Sequence, residues 1–233
     1  MKKSSRKTTF LSALAIAVPA MGMAQDKVEA SVGADLVSGY IWRGQDLGNV
    51  SIQPSASVSY KGFSLSGWGS VGLDKEDTKE FDLTLGYSTG GFSVSVTDYW
   101  FDGGPEYFHY GAHNTSHVFE AQVGYDFGPL AVNWYTNFAG ADGVKANGDR
   151  AYSSYFSIAA PFKLGGLDWS AEIGATPWET SFYKQGNQNH RFLLASRICT
   201  GHLESSYRRS LLCVWHKFLT QKIYYNTNTI QYQ

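Results

Sequence analysis

Cysteine is missing from residues 25–190, and the two that exist, Cys199 and Cys213, both lie near the C-terminal end. One pair is too few for a disulfide framework, so the body of the fold does not depend on sulfur chemistry. Basic residues are scarce in the same span, where nine Lys and Arg stand against nineteen Asp and Glu. Nucleic-acid binding needs a basic face, and this balance argues against it. The acid excess fits either a soluble acidic surface or an acidic, water-filled interior. Long apolar runs are missing too: the longest candidate, residues 10–20, falls well short of the roughly 20 residues of a membrane-spanning helix. Apolar residues are instead diluted among Ser, Gly, Asn and Asp, and the mean hydropathy is −0.26. Aromatics make up 15% of the chain, more than a Leu/Ile/Val core would call for.

Residues 1–24 read as a secretory signal peptide. Lys2, Lys3, Arg6 and Lys7 precede the apolar run, and Gly22-Met23-Ala24 supplies a small-x-small cleavage signal after Ala24. This predicts export and sets the segment aside from fold reasoning. Residues 25–190 then form one body, and residues 191–233 differ in character.

Strict alternation organises the body. Val28, Ala30, Val32, Ala34, Leu36, Tyr40 and Trp42 interleave with Glu29, Ser31, Gly33, Asp35 and Arg43. Period two is the signature of a strand with one apolar and one polar face. It recurs over 50–60, 63–73, 80–88, 92–101, 117–126, 130–139, 152–162 and 167–176. Pro54 predicts a local irregularity, since proline cannot donate to a ladder. The nine segments in 28–176 approach the roughly 9–11 residues of a tilted membrane strand, beyond the usual 5–6 of soluble strands. Connections alternate in length: 61–62, 89–91, 127–129 and 163–166 are tight, whereas 44–49, 74–79, 102–116, 140–151 and 177–189 are long and polar. Outer-membrane barrels have this two-sided asymmetry, with short periplasmic turns and long outer loops. Aromatics gather at strand ends, among them Tyr40, Trp42, Tyr60, Phe63, Tyr87, Phe92, Tyr125 and Phe127, as interfacial girdles require. The pattern predicts an all-β, antiparallel transmembrane β-barrel in the bacterial outer membrane. Even strand counts in bacterial barrels point to about twelve strands in an intact relative.

Asp35-Leu36-Val37-Ser38-Gly39-Tyr40-Ile41-Trp42-Arg43-Gly44 and Ser51-Ile52-Gln53-Pro54 carry a family likeness. So do Gly67-Trp68-Gly69-Ser70, Thr97-Asp98-Tyr99, His117-Val118-Phe119-Glu120-Ala121 and Thr176-Pro177-Trp178-Glu179. Over residues 28–190 the chain resembles the TorF-type porins, also described as the Gcw_chp conserved hypothetical proteins. The Tyr-x-Trp-Arg-Gly run is the most specific element. The resemblance implies an outer-membrane barrel of the porin kind, and no substrate or catalytic residue comes with it.

Three motifs compete with this picture. Gly86-Tyr87-Ser88-Thr89-Gly90 matches the serine-hydrolase pattern, but that chemistry needs a strand-to-helix elbow, and here the motif leads into a Gly-Gly hairpin. His109, His113 and His117 are spaced by four, as zinc ligands on a helix are; Gly111, Asn114 and Thr115 interrupt them, which favours solvated loop histidines. Asp142, Asn147 and Asp149 could hold calcium loosely, without the EF-hand pattern. No cofactor and no catalytic cluster is expected.

Charged side chains on the lipid face are costly, so those on strands are expected to point into the lumen. The candidate pore lining is Glu29, Asp35, Arg43, Gln53, Trp68, Glu80, Asp82, Glu120, Gln122, Asn133, Tyr135, Asp168 and Glu172. Its carboxylates predict a cation-biased passage for small hydrophilic solutes. The expected partners are outer-membrane lipid, the barrel assembly machinery and such solutes. The rival readings are a closed barrel acting as a receptor or adhesin through its outer loops, a soluble lipocalin-like barrel, and a truncated barrel without function. Beyond residue 190 six basic residues meet one acid, and Tyr207, Leu211, Leu212, Trp215 and Phe218 fall at helical spacing. A frameshift near Arg191 accounts for that change of pattern, and a helical tail is the alternative.

Overall fold

The computed structural model describes residues 27–43, 45–75, 77, 79–164, 167–178, 180–183, 193–201 and 211–219. The leader expected over 1–24 lies outside them. The described chain is all-β. Its strands are β1 (Glu29–Val37), β2 (Tyr40–Trp42), β3 (Gln45–Gly48), β4 (Ser51–Tyr60), β5 (Phe63–Gly72), β6 (Lys79–Thr89), β7 (Phe92–Phe101), β8 (His117–Asp126), β9 (Ala131–Gly140), β10 (Ser154–Leu164), β11 (Leu167–Ala175), β12 (Leu193–Gly201) and β13 (Leu211–Leu219). Eleven of these form one sheet in the order β1-β4-β5-β6-β7-β8-β9-β10-β11-β12-β13, and β2 and β3 pair only with each other. Every pairing is antiparallel. The sheet is open, with β1 and β13 as its edges.

The tight connections are hairpin turns with the required chemistry. Lys61 and Gly62 take φ of 50° and 85°, and Gly90 and Gly91 take 55° and 86°. Positive φ at adjacent turn residues matches the twist of the flanking strands. Pro54 leaves the anticipated mark. The β4–β5 ladder keeps one register from Ile52↔Val71 to Ser55↔Trp68 but skips Gln53 and Pro54. Gln53 Nε2 donates to Ser70 Oγ at 3.2 Å across that gap.

The sheet's two faces are inverted relative to a water-soluble core. Leu65, Leu83, Leu85, Val96, Val123, Phe138, Ile158 and Ile173 are exposed, with Leu85 at 58%. The opposite face buries Gln53, Ser70, Glu80, Glu120, Asn137 and Ser157. Period two assigns the residues to faces, and the sheet's curvature decides which face is enclosed.

Two sequence expectations fail. The alternation through residue 43 predicts a single first strand with Tyr40 and Trp42 facing outward. Instead β1 stops at Val37, opposite Ser51, and the chain breaks at Ser38-Gly39. Part of the expected loop over 44–49 is β3, which pairs with β2 as a hairpin of its own. Tyr40 is buried: its phenol bonds a wall carboxylate, a partner that an outward position would not offer. The second concerns the tail: the helical alternative does not hold over Leu211–Leu219, a strand paired with β12, and residues 205–210 lie outside the described residues. The β11 edge offers a row of unpaired N–H and C=O groups, and continuing that ladder outweighs a local helical period.

Candidate functional site

The β2–β3 hairpin folds onto the enclosed face at the end of the sheet that carries the long connections. Tyr40 tilts against Trp68 of β5, ring centroids 5.5 Å apart, and its hydroxyl donates to Glu80 Oε2 of β6 at 2.8 Å. Burial, with Glu80 beside it, raises the Tyr40 phenol well above its ordinary value. Arg43, three residues on, reaches β8, β9 and β10. In a flat sheet β5 and β10 would be about 24 Å apart at ~4.8 Å per strand. One short hairpin touches both because the sheet curls around it.

Arg43 is the centre of the site. Its Nη1 donates to Glu120 Oε2 at 2.5 Å and its Nη2 to Glu120 Oε1 at 2.9 Å. This two-pronged geometry is the strong form of a charge-assisted pair. Nη1 also donates to the Tyr183 hydroxyl at 2.7 Å, and Tyr99 donates to Glu120 Oε1 at 2.9 Å. The guanidinium carbon sits 4.3, 4.0 and 5.0 Å from the ring centroids of Trp42, Tyr135 and Tyr155. Arg43 and Glu120 are 6% and 3% exposed. Arg43 has φ of 46°, a left-handed conformation that costs a non-glycine residue about 1–3 kcal/mol. The contacts around the guanidinium hold it there.

The wall is shaped to meet it. The β8–β9 register shifts between Phe119 and Glu120, opposite Ala139 and Asn137, so Phe138 is an extra residue on β9. Such a bulge re-aims neighbouring side chains. Below it Asn137 is fully buried and donates to Asp142 Oδ1 at 3.2 Å. The segment after β11 closes the cluster from the other side. Trp178 donates to the Ala151 carbonyl, Thr180 bonds Ser153, and Tyr183 stacks on Trp42 at 5.9 Å. Burial raises the Tyr183 phenol well above its ordinary range, and the adjacent guanidinium offsets part of that rise.

The predicted lining divides by position. Arg43, Gln53, Glu80 and Glu120 are buried, and Asp82 presents a buried Oδ1 without a partner among the described residues. Trp68, Gln122, Asn133, Tyr135 and Glu172 are partly buried on the same face. Gln122 accepts from Ser95 and donates to Asn133, at 2.8 and 2.9 Å. Glu29 and Asp35 lie on the edge strand β1 and are exposed. Asp168 stands opposite Lys163 in the β10–β11 register. Arg43 belongs to the inserted hairpin and not to a wall strand, which corrects its expected place. Tyr99 and Tyr155 were readable as members of the polar face from period two. Tyr183 gave no signal, because a loop has no period.

The competing motifs resolve differently. Ser88 pairs with Ser93 across the β6–β7 hairpin, so no strand-to-helix elbow forms there. Among the described residues no three His, Cys, Asp or Glu gather as metal ligands. Asp142 binds Asn137 and the Ser153 amide, and Asn147 binds Asp149. His117 is not solvated; it is fully buried beside Asp98.

The enclosed face carries the carboxylates Glu80, Asp82, Glu120 and Glu172, and Glu120 pairs with the Arg43 guanidinium. No family model matches the chain, and no curated protein or solved structure does.

Proposed function

We propose that the chain is a porin-like outer-membrane β-barrel, exported through the periplasm and inserted by the barrel assembly machinery, through which small hydrophilic solutes diffuse with a bias towards cations. The observation that carries this reading is the inversion of the sheet: apolar side chains exposed, polar and charged ones enclosed. Water would penalise that arrangement, and lipid around a wet interior favours it. The exposed face is also banded. On β6 it runs Phe81, Leu83, Leu85, Tyr87, and on β8 Phe119, Ala121, Val123, Tyr125. Aromatics about six residues apart bound an aliphatic stretch of about 20 Å at ~3.4 Å per residue, as girdles bound a bilayer core. The resemblance to TorF-type porins agrees. In lipid the edges β1 and β13 must be paired or covered, since unpaired backbone groups are not tolerated there.

Planar-bilayer recording on the refolded chain tests the proposal. Discrete channels that prefer cations are the expected result. A silent bilayer, or preference for anions, would count against it. A second reading has one observation in its favour: the hairpin and residues 176–178 and 180–183 pack into the interior at the long-loop end. A closed barrel that binds a ligand through its outer loops would show no conductance and saturable binding to those loops.

A further inference from the structure

We infer that the enclosure around Arg43 is a recognition site for a small organic cation of the guanidinium or alkylammonium class, and that Arg43 occupies it as an internal ligand. The wall supplies everything such a cation needs without help from the hairpin. Glu120 presents one carboxylate oxygen to each of the two terminal guanidinium nitrogens. Tyr135 and Tyr155 present ring faces at 4.0 and 5.0 Å from its central carbon. A carboxylate that accepts a planar fork, flanked by aromatic faces, is the recognised chemistry for a weakly hydrated organic cation. Potassium, small and strongly hydrated, gains little from ring faces.

Three further observations mark the occupant as separable. Among the described residues β2 and β3 pair only with each other and lend no backbone bond to the sheet. Arg43 takes its place with left-handed backbone. Two polar atoms close to the cluster, the Tyr155 hydroxyl and Asp82 Oδ1, are buried with no partner among the described residues, so the enclosure has hydrogen-bonding capacity beyond what Arg43 uses. A soluble cation would compete with Arg43 for Glu120 and, on winning, release the hairpin from the wall. That the cation then passes through rests on the porin reading; its binding does not.

The test uses the full chain refolded in detergent, with Arg43→Ala as the central variant. Guanidinium chloride and tetramethylammonium chloride, at millimolar concentration, are compared with potassium chloride at equal ionic strength. Thermal midpoint and tryptophan fluorescence report binding. Guanidinium should bind Arg43→Ala saturably and restore the midpoint lost on substitution, tetramethylammonium should bind more weakly, and potassium should do neither. Adding Glu120→Gln should weaken guanidinium binding at least tenfold. Equal effects of guanidinium and potassium, or an effect that survives Glu120→Gln, would overturn the inference. If Arg43→Ala does not fold, Arg43→Met takes its place: folding recovered by guanidinium but not potassium supports the site, and no recovery counts against it. In bilayers, guanidinium should block Arg43→Ala channels. Absence of channels alongside intact guanidinium binding would sink the porin reading and leave the cation site standing.

Discussion

His117 holds its Nδ1 2.7 Å from Asp98 Oδ1 on the outward face of the sheet, where β7 and β8 otherwise present Phe92, Val94, Val96, Phe119 and Val123. This is a polar pair on the otherwise apolar, exposed side of the sheet. It is sealed: His117 is 0% exposed, its other ring nitrogen meets the Tyr107 carbonyl, and Tyr110 stacks over it at 4.2 Å. The connection between β7 and β8 thus folds down over the wall and covers the polar pair.

Removing one partner of such a pair should loosen that cover. Asp98→Ala leaves a buried His117 ring nitrogen without its hydrogen-bond partner, a loss of about 1–3 kcal/mol. Chymotrypsin should then cut at Tyr107, Phe108 or Tyr110 at least ten times faster than in the parent chain. Unchanged cleavage would show that the pair does not hold the connection in place.

The Arg43–Glu120 pair should respond asymmetrically. Glu120→Ala strands a buried guanidinium and is expected to destabilise the chain by about 3–5 kcal/mol. Arg43→Met with Glu120→Leu together should cost clearly less than the sum of the single changes. Urea unfolding from lipid vesicles measures both; additive losses would mean that the two groups do not interact.

The exposed apolar face distinguishes lipid from water as its solvent. Leu85→Arg and Val123→Arg should each cost about 2–4 kcal/mol for folding into vesicles if these positions lie near mid-bilayer. At an exposed position in water such changes stay within about 0.5 kcal/mol. The smaller value for both variants would remove the outer-membrane reading.

The hairpin glycines should not be equivalent. At Gly91, φ is 86° and an added Cβ would lie 2.6 Å from the Asp126 carbonyl oxygen; at Gly128, φ is 91° and nothing lies within 4 Å. Gly128→Ala should cost about 1–2 kcal/mol from its backbone alone, and Gly91→Ala distinctly more. The order of their unfolding midpoints decides the point.

Cys199 and Cys213 are register partners in β12 and β13. Antiparallel partners have Cα atoms about 4.5–5.5 Å apart, inside the ~4.4–6.8 Å that a disulfide spans. Exchange with a small disulfide oxidant should join them, and a thiol count on the oxidised, unfolded chain should fall from two to none. Two persistent thiols would contradict this register.

Much of the architecture is legible in the residues themselves. Phe81, Leu83, Leu85 and Tyr87 against Glu80, Asp82, Thr84 and Ser88 give β6 its two faces before any fold is known, because side chains alternate with a period of two. Lys61-Gly62 and Gly90-Gly91 announce tight turns because Gly62, Gly90 and Gly91 tolerate positive φ. Pro54 announces its gap because it has no N–H to give. Alternation was misleading at Tyr40, Trp42 and Arg43. The local pattern there continues β1, and a distant carboxylate on β8, with rings on β9 and β10, draws the segment away.

From β4 to β11 the sequence by itself determined the strands, their tight turns and which residues share a face, since each of these depends on neighbours one to four residues away. Only the tertiary structure decided which face is enclosed, that β2 and β3 fold inward, and that Glu120, Tyr135, Tyr155 and Tyr183 meet one guanidinium. The Arg43–Tyr183 bond spans 140 positions. No local periodicity encodes such a contact; it exists because a curled sheet brings strands together that are remote in the chain, and a buried charge takes the partners it finds there.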